Sequence, residues 1–290
     1  MQTLRYVLVT PAKNEEAQIE ATIRSVGRQT VLPARWVVVS DGSTDLTDAI
    51  VKEFCRANKW MDLVRVPGDI ERQFAAKVHA FKAGYAALSD TKYDVIGNLD
   101  ADITFCEDYF EFLLERFQED PRLGVAGTPF DENGQRYDYN FTNIEHVSGA
   151  CQLFRRECFE AIGGFVPIRG GGEDWAAVTT ARMKGWVTRT FPERVCYHHR
   201  KMGAGEAGAS RAWFRRGRRD YCLGWHPLWE LFRAIYQMKY RPFILGGLLL
   251  LLGYASGWMA GIQRPVSREL VSFHRKEQMR RLKDLFIKAA

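Results

Sequence analysis

The sequence predicts an α/β protein, a Rossmann-like mixed sheet flanked by helices, with further helices at its C-terminal end. Three observations carry this. Short β-branched runs alternate with amphipathic segments through the first half, the pattern of strands joined by crossover helices. Polar motifs follow the first, second and fourth runs, at the strand ends where open sheets bind ligands. After residue 210 the composition shifts to arginine mixed with aromatics, and then to an unbroken apolar run.

Strands are expected at Tyr6–Thr10, Trp36–Ser40, Leu63–Val66, Val95–Leu99 and Val125–Thr128, and helices between them at Ala17–Arg28, Leu46–Ala57, Gln73–Leu88 and Tyr109–Gln118. From 131 to 210 the pattern is irregular and glycine-rich, with Ser148-Gly149-Ala150, Gly163-Gly164-Phe165 and Gly170-Gly171-Gly172-Glu173-Asp174-Trp175. Loops with glycine hinges often form acceptor sites and lids. A helix at Trp175–Lys184 and a strand at Val187–Phe191 complete this region, which is expected to form one domain over 1–210.

The remaining segment, 211–290, differs in kind. The net charge of +6 conceals a polarity: residues 211–241 hold eight Lys/Arg against two Asp/Glu, and residues 264–290 hold eight against three. The rest of the chain is therefore acidic, and the basic end suits an anionic partner. Between those stretches Pro242–Gln263 runs 22 residues without a charge, long enough to span a bilayer or to dip in and return. Gly253, Gly257 and Gly261 sit four apart, a spacing that lets membrane helices pair. Arginine among aromatics also suits nucleic acid, but the adjoining apolar run favours a membrane and completes the fold class with amphipathic and membrane-associated helices. No signal peptide is visible at residues 1–10, so the expectation is the cytosolic side. The six cysteines show no metal-ligand spacing and are expected to be reduced.

The chemistry-bearing residues lie at the strand ends. Asn98-Leu99-Asp100-Ala101-Asp102 places two carboxylates one residue apart just past the fourth strand, where both can aim at a hard cation. Mg²⁺ or Mn²⁺ takes oxygen ligands and bridges the phosphates of a nucleoside diphosphate. The motif alone is weak, because it also occurs in polar turns; its position gives it weight. Val37-Val38-Val39-Ser40-Asp41-Gly42-Ser43-Thr44-Asp45 delivers Asp41 at a strand tip, where a carboxylate can accept the N–H of a base such as uracil. Ser43, Thr44 and Asp45 also suit helix capping, and both roles can hold together.

Taken with Pro11-Ala12-Lys13-Asn14-Glu15-Glu16 before them, and Gly163-Gly164-Phe165 and Glu173-Asp174 after them, these motifs resemble the family 2 glycosyltransferases, an inverting group with the GT-A fold. The resemblance covers about residues 4–200. It implies a nucleotide-binding half at 1–130 and an acceptor-binding half at 131–210. Pro11, Ala12, Asn14 and Glu16 would line the nucleoside pocket, and Asp41 would pair with the base. Lys77 would approach ribose or phosphate, Asp100 with Ala101 would contact ribose or metal, and Asp102 would ligate the metal. Asp174 would be the general base, with Glu173 beside it. Inverting transfer needs such a base, and a metal-bound diphosphate leaves without a separate protein acid. The same acids also suit a helix N-terminus.

In related sequences a histidine near His198-His199-Arg200-Lys201 completes the metal site or touches the diphosphate, and the sequence does not choose between His198 and His199. Arg200 or Lys201 would balance phosphate charge. The Gln-x-x-Arg-Trp motif of processive synthases is missing; Trp213-Phe214-Arg215-Arg216-Gly217-Arg218-Arg219 stands at a comparable place. Transfer of a single sugar is therefore expected.

The expected protein is an inverting, Mn²⁺- or Mg²⁺-dependent transferase. It would move a hexosyl or N-acetylhexosaminyl group from a nucleotide-diphosphate sugar, UDP-linked by preference, to a lipid-linked acceptor at the cytoplasmic side of the cell membrane. Polysaccharide or glycoconjugate assembly is the expected setting, an oligomer through the C-terminal region is open, and nucleic acid is not an expected partner. Two rivals stand. A sugar nucleotidyltransferase needs a glycine-rich, basic loop after the first strand, where this chain has Asn14-Glu15-Glu16. A non-catalytic assembly protein would have no need of Asp102 and Asp174.

Overall fold

Strand β1 (Tyr6–Ala12) is buried at six of its seven residues, which places it inside a sheet covered on both faces. The computed structural model describes residues 4–68, 74–132, 143–168, 170–199 and 209–289. After β1 come α1 (Ile19–Gly27), β2 (Arg35–Asp41), α2 (Thr47–Ala57), β3 (Met61–Val66), α3 (Phe74–Ala86), β4 (Val95–Leu99), β5 (Ile103–Phe105) and α4 (Tyr109–Glu119). They are followed by β6 (Leu123–Gly127), β7 (Phe130–Asp131), β8 (Cys151–Arg155), α5 (Arg156–Ile162), α6 (Glu173–Met183), β9 (Val187–Thr190) and β10 (Cys196–His198). The expected strands and helices all form, with ends shifted by a residue or two; Gln73, the expected start of the third helix, lies outside the described residues.

The chain divides into two compact units, Met1–Pro167 with Glu173–Lys201, and Ile168–Gly172 with Met202–Ala290. The first unit holds a seven-stranded sheet in the order β3-β2-β1-β4-β8-β6-β9. Strands β1 to β4 are parallel, with Val7 opposite Arg35 and Tyr6 opposite Val95. Alternation along β1 sends Tyr6 and Leu8 into one core layer with Trp36 and Phe110, and Val7 and Val9 into the other with Phe81 and Phe159. In this register Ala12 lies opposite Ser40, so the polar segments after β1 and β2 emerge side by side.

Two features lie in the region whose sequence reads as irregular. Strand β8 inserts antiparallel between β4 and β6, with Leu99 opposite Cys151. A second sheet, β5-β10-β7, runs β10 antiparallel to β5 and sets His198 opposite Ile103. Both are short strands whose pairing partners lie far away in sequence, and neither carries an alternation long enough to announce itself. Helix α6 begins at Glu173, two residues earlier than expected, so both acids of the Glu-Asp pair lie in its first turn.

The second unit contains α7 (Ala209–Cys222), α8 (Pro227–Gln237), α9 (Ile244–Met259) and α10 (Arg268–Ala289). Helix α8 starts on His226, whose Nδ1 accepts from Leu228 N, with Pro227 in the first turn. Arg233 donates to Asp220 at 2.8 Å and to Glu230 at 3.2 Å, and its guanidinium lies 4.1 Å from the Trp225 ring centroid. Part of the basic, aromatic composition is therefore internal cement between α7 and α8 rather than surface.

The apolar segment 242–263 is not a continuous helix. Phe243 at φ +52° precedes α9, and Gly261 at φ +58° follows it. The 16 residues of α9 rise about 24 Å, short of the roughly 30 Å of a hydrocarbon core. Among the described residues no helix is long and apolar enough to cross a membrane. The glycine series does not form one face either. Gly253 packs against the Phe214 carbonyl of α7, Gly257 against Tyr221, and Gly217 of α7 against the Leu250 carbonyl, while Gly261 lies past the helix with nothing within 4 Å of a β-carbon. The spacing that suggested pairing between copies is used inside the chain.

That contact yields a stability prediction. Gly253→Ala forces its β-carbon onto the α7 backbone and should destabilise the second unit by about 1–3 kcal/mol in urea unfolding followed by circular dichroism. Gly27→Ala, where a β-carbon meets nothing within 4 Å, should stay within about 0.5 kcal/mol of wild type.

Candidate functional site

The loops after β1 and β2 are laced together. Asn14 adopts φ +54°, its backbone N donates to Ser43 Oγ, and its Oδ1 accepts from Thr44 N at 2.9 Å. Glu16 accepts from Leu46 N at 2.9 Å, and the buried Glu15 donates its backbone N to Thr47 Oγ1. Asp45 accepts from Thr47 N and Oγ1, but it stands one residue before Leu46, the N-cap of α2, which has no side-chain cap. Pro11 is half-buried at the end of β1 and Ala12 is buried. The Asn14 and Glu16 side chains bond the neighbouring loop.

Asp41 is buried at the tip of β2, and Lys13 Nζ stands 3.6 Å from its Oδ2. Gly42, at φ +61°, touches the backbone of Gly68 beyond β3, a crossing that a β-carbon at either position would block. The carboxylate is thereby held on a backbone with little freedom to retreat.

Past β4, Asp100, Asp102 and His198 each bring a ligand-capable atom within 4.8 Å of the others. Asp102 is buried, and His198 Nε2 lies 3.5 Å from its Oδ1. The ladder between β5 and β10 positions the imidazole. Nε2 is the nitrogen turned to Asp102, and Nδ1 is buried with no hydrogen-bond partner among the described residues. Two carboxylates and an imidazole suit Mn²⁺ or Mg²⁺. His199 is excluded from this group: its ring Nε2 is hydrogen-bonded to Thr104 Oγ1 at 2.8 Å and its side chain is exposed. Ala101 contributes its backbone, accepting from Thr22 Oγ1 at 2.8 Å. Arg200 and Lys201 lie outside the described residues.

Lys77 ties this group to the acids of α6. Its Nζ donates to Asp100 Oδ1 at 2.5 Å. Burial opposes its charge, but Asp100, Glu173 and Asp174 outweigh burial and hold its pKa above the ordinary value. Burial, with Asp102 in support, pushes Asp100 up against the pull of Lys77. Burial and then Asp174 push Glu173 up to about 7, and its Oε2 has no hydrogen-bond partner among the described residues.

Sequence reasoning passed over one contact. A β-carbon on Gly149 would lie 2.8 Å from Asp174 Oδ2 and 2.9 Å from its Cβ. Gly149 O accepts from Asn98 Nδ2, and Ala150 O accepts from Asp100 N, so the turn before β8 is fastened to the Asp-x-Asp strand and abuts the Asp174 side chain. The Ser-Gly-Ala motif was visible, but only the sheet order reveals what its glycine touches.

Known proteins show what this arrangement accompanies. The family model described as Glycosyl transferase family 2 matches residues 7–163. The 4,4'-diaponeurosporenoate glycosyltransferase of Staphylococcus aureus is 30% identical over 179 residues, covering 54% of this chain and 45% of that protein. The chain spans about half the length of the curated relatives it matches. A mannosyltransferase from Pyrobaculum calidifontis in complex with GDP-Man and Mn²⁺ matches with a TM-score of 0.59 at 22% identity, over 90% of this chain and 76% of that one. S. aureus TarS 1-349 in complex with UDP-GlcNAc matches with a TM-score of 0.55 at 16% identity, over 75% and 66%. At such identities the two structures establish a shared fold.

The raised Glu173 carboxyl predicts a pH signature. Its folded pKa of about 7 exceeds its ordinary 4.5, so its stabilisation is full below about pH 4.5 and is lost as pH rises through 7. In metal-free protein, Glu173→Gln should remove a loss on the order of 3 kcal/mol. Melting temperatures of variant and wild type should converge near pH 4 and separate by pH 8, with the variant higher.

Proposed function

We propose that this chain, which belongs to glycosyl transferase family 2, moves one sugar from a nucleotide-diphosphate donor to a lipid-linked acceptor with inversion at the anomeric carbon. It is a glycosyltransferase with the GT-A fold; the donor, the acceptor and the place of action are the proposal. One observation carries the reading. Lys77 is bonded to Asp100 and lies in the field of Glu173 and Asp174, so the metal-ligand group and the acids of α6 belong to one site.

The residues divide the chemistry between them. Asp174, half-buried in the first turn of α6, takes the proton of the acceptor hydroxyl as its oxygen attacks the anomeric carbon. The bond to the diphosphate breaks and its electron pair departs with that group. Asp102, Asp100 and His198 would hold a divalent cation, which when bound supplies charge neutralisation for the departing diphosphate. Lys77 stands beside that position with a fixed positive charge. Asp41 accepts a base N–H, with Lys13 near enough to serve a base carbonyl. A uracil N3–H fits this role and a guanine N1–H offers the same donor, so UDP-linked sugars are the first candidates and GDP-linked sugars the control.

The lipid-linked acceptor draws on the basic and apolar C-terminal segment and on the relative named for a diaponeurosporenoate. Free cysteines at all six positions accord with a cytoplasmic-side location. The missing processive motif favours a single transfer, and the Asn14-Glu15-Glu16 turn lacks the glycine-rich basic loop of a nucleotidyltransferase.

Nucleotide release from a panel of UDP- and GDP-sugars, with Mn²⁺ and an isolated lipid fraction, tests the reading. One donor should turn over and EDTA should stop it. Asp174→Asn should lower kcat by about 10²- to 10⁴-fold with little change in donor KM. His198→Ala should raise the Mn²⁺ concentration for half-maximal rate by at least about tenfold. If no donor turns over and none binds in calorimetry with Mn²⁺, the transferase proposal fails.

A further inference from the structure

We propose that α8 and α9 form a docking surface for an anionic lipid bilayer, lying in the interface without crossing it. Helix α9 is inside out for a helix that meets water. It turns Gly246, Gly247, Gly253 and Gly257 inward, with Leu250 the one large side chain fully buried among them, and a row of leucines outward. Leu245, Leu248 and Leu252 are 49%, 46% and 57% exposed and stand at i, i+3 and i+7, one continuous stripe. On α8, Leu228, Leu231 and Ile235 repeat the same spacing and are likewise exposed. The two helices are packed on each other, with Gly247 seated against the Ala234 carbonyl and Met238. A water-facing helix pair normally buries leucine and exposes polar groups, and an apolar surface of this kind marks an interaction site.

Charge selects the partner. Exposed Lys239 and Arg241 precede α9, and exposed Arg268 follows it. They belong to two strongly basic stretches, 211–241 and 264–290. The Tyr236 and Tyr240 hydroxyls bond at 2.6 Å, Lys239 Nζ lies 5.7 Å from the Tyr236 ring, and Trp258 is 70% exposed at the far end of α9. Apolar stripes bordered by Tyr, Trp and cations match the boundary between acyl chains and anionic headgroups. The length of α9 accords with insertion parallel to the surface. A protein partner would need acidic and apolar features together; an anionic leaflet offers both by construction.

The inference deepens the proposed function, since an enzyme resting on a leaflet meets lipid-borne acceptors there, but it is measured separately. The full chain is sedimented with phosphatidylcholine vesicles and with vesicles containing phosphatidylglycerol. It should partition onto the anionic vesicles with a blue shift in tryptophan emission, and the partition should weaken as salt rises. Leu248→Glu/Leu252→Glu, both exposed, should fold normally by circular dichroism and reduce partition at least tenfold. Lys239→Glu/Arg241→Glu should reduce it on anionic vesicles alone. The proposal falls if wild type stays in the supernatant, or if the leucine variant binds as well as wild type. It also falls if wild type is a dimer without lipid that the leucine variant makes monomeric, for then the face belongs to a second copy. Donor hydrolysis by the same variants without vesicles should match wild type. Vesicle binding without any donor turnover would leave the docking surface standing and remove the transferase reading.

Discussion

Three acids, Asp100, Glu173 and Asp174, act on one lysine, with Asp102 beside Asp100, and the architecture of the first unit serves that arrangement. Buried like charges repel in a medium that screens them poorly. Lys77 compensates Asp100 directly, and Glu173 relieves part of the strain by resisting ionisation. What remains is an excess of negative charge past a strand end, beside an imidazole whose buried Nδ1 has no hydrogen-bond partner among the described residues. Such a site is poorly satisfied on its own and well matched to a divalent cation with a diphosphate.

The scaffold keeps these groups apart in sequence and together in space. Asp100 and Asp102 leave a central strand, His198 arrives on a short antiparallel pairing, and Asp174 of α6 abuts the turn before β8, which is fastened to Asn98 and Asp100. Each pairing is a few residues long, yet each fixes a side chain on rigid backbone rather than on a free loop. Gly149 shows the tolerance involved: the space beside Asp174 admits no methyl group.

The second unit solves a different problem. Its helices approach backbone to backbone through Gly217 and Gly253, and a buried Asp220–Arg233–Glu230 cluster ties α7 to α8. Using glycine for internal packing leaves Leu245, Leu248 and Leu252 of α9 exposed, while Leu250 is buried. The same economy of small residues that closes the interior creates the apolar exterior.

Much of this was legible in order along the chain. Short β-branched runs and amphipathic segments announced the parallel strands and their helices, and the polar motifs marked the strand ends, because local backbone preference and burial operate over a few residues. The choice of His198 over His199, the fastening of Gly149 against Asp174, and the bonding of Asn14 and Glu16 to the next loop were not legible. Neither was the inversion of α9: 22 uncharged residues read alike whether they span, fold back or lie flat. The sequence by itself determined which residue types stand at each strand end and how apolar each segment is. Only the tertiary structure decided which imidazole meets Asp102, which glycine meets the proposed base and which face of α9 looks outward. Those are matters of strand pairing and helix packing between residues dozens of positions apart, set by long-range burial rather than by neighbours in the chain.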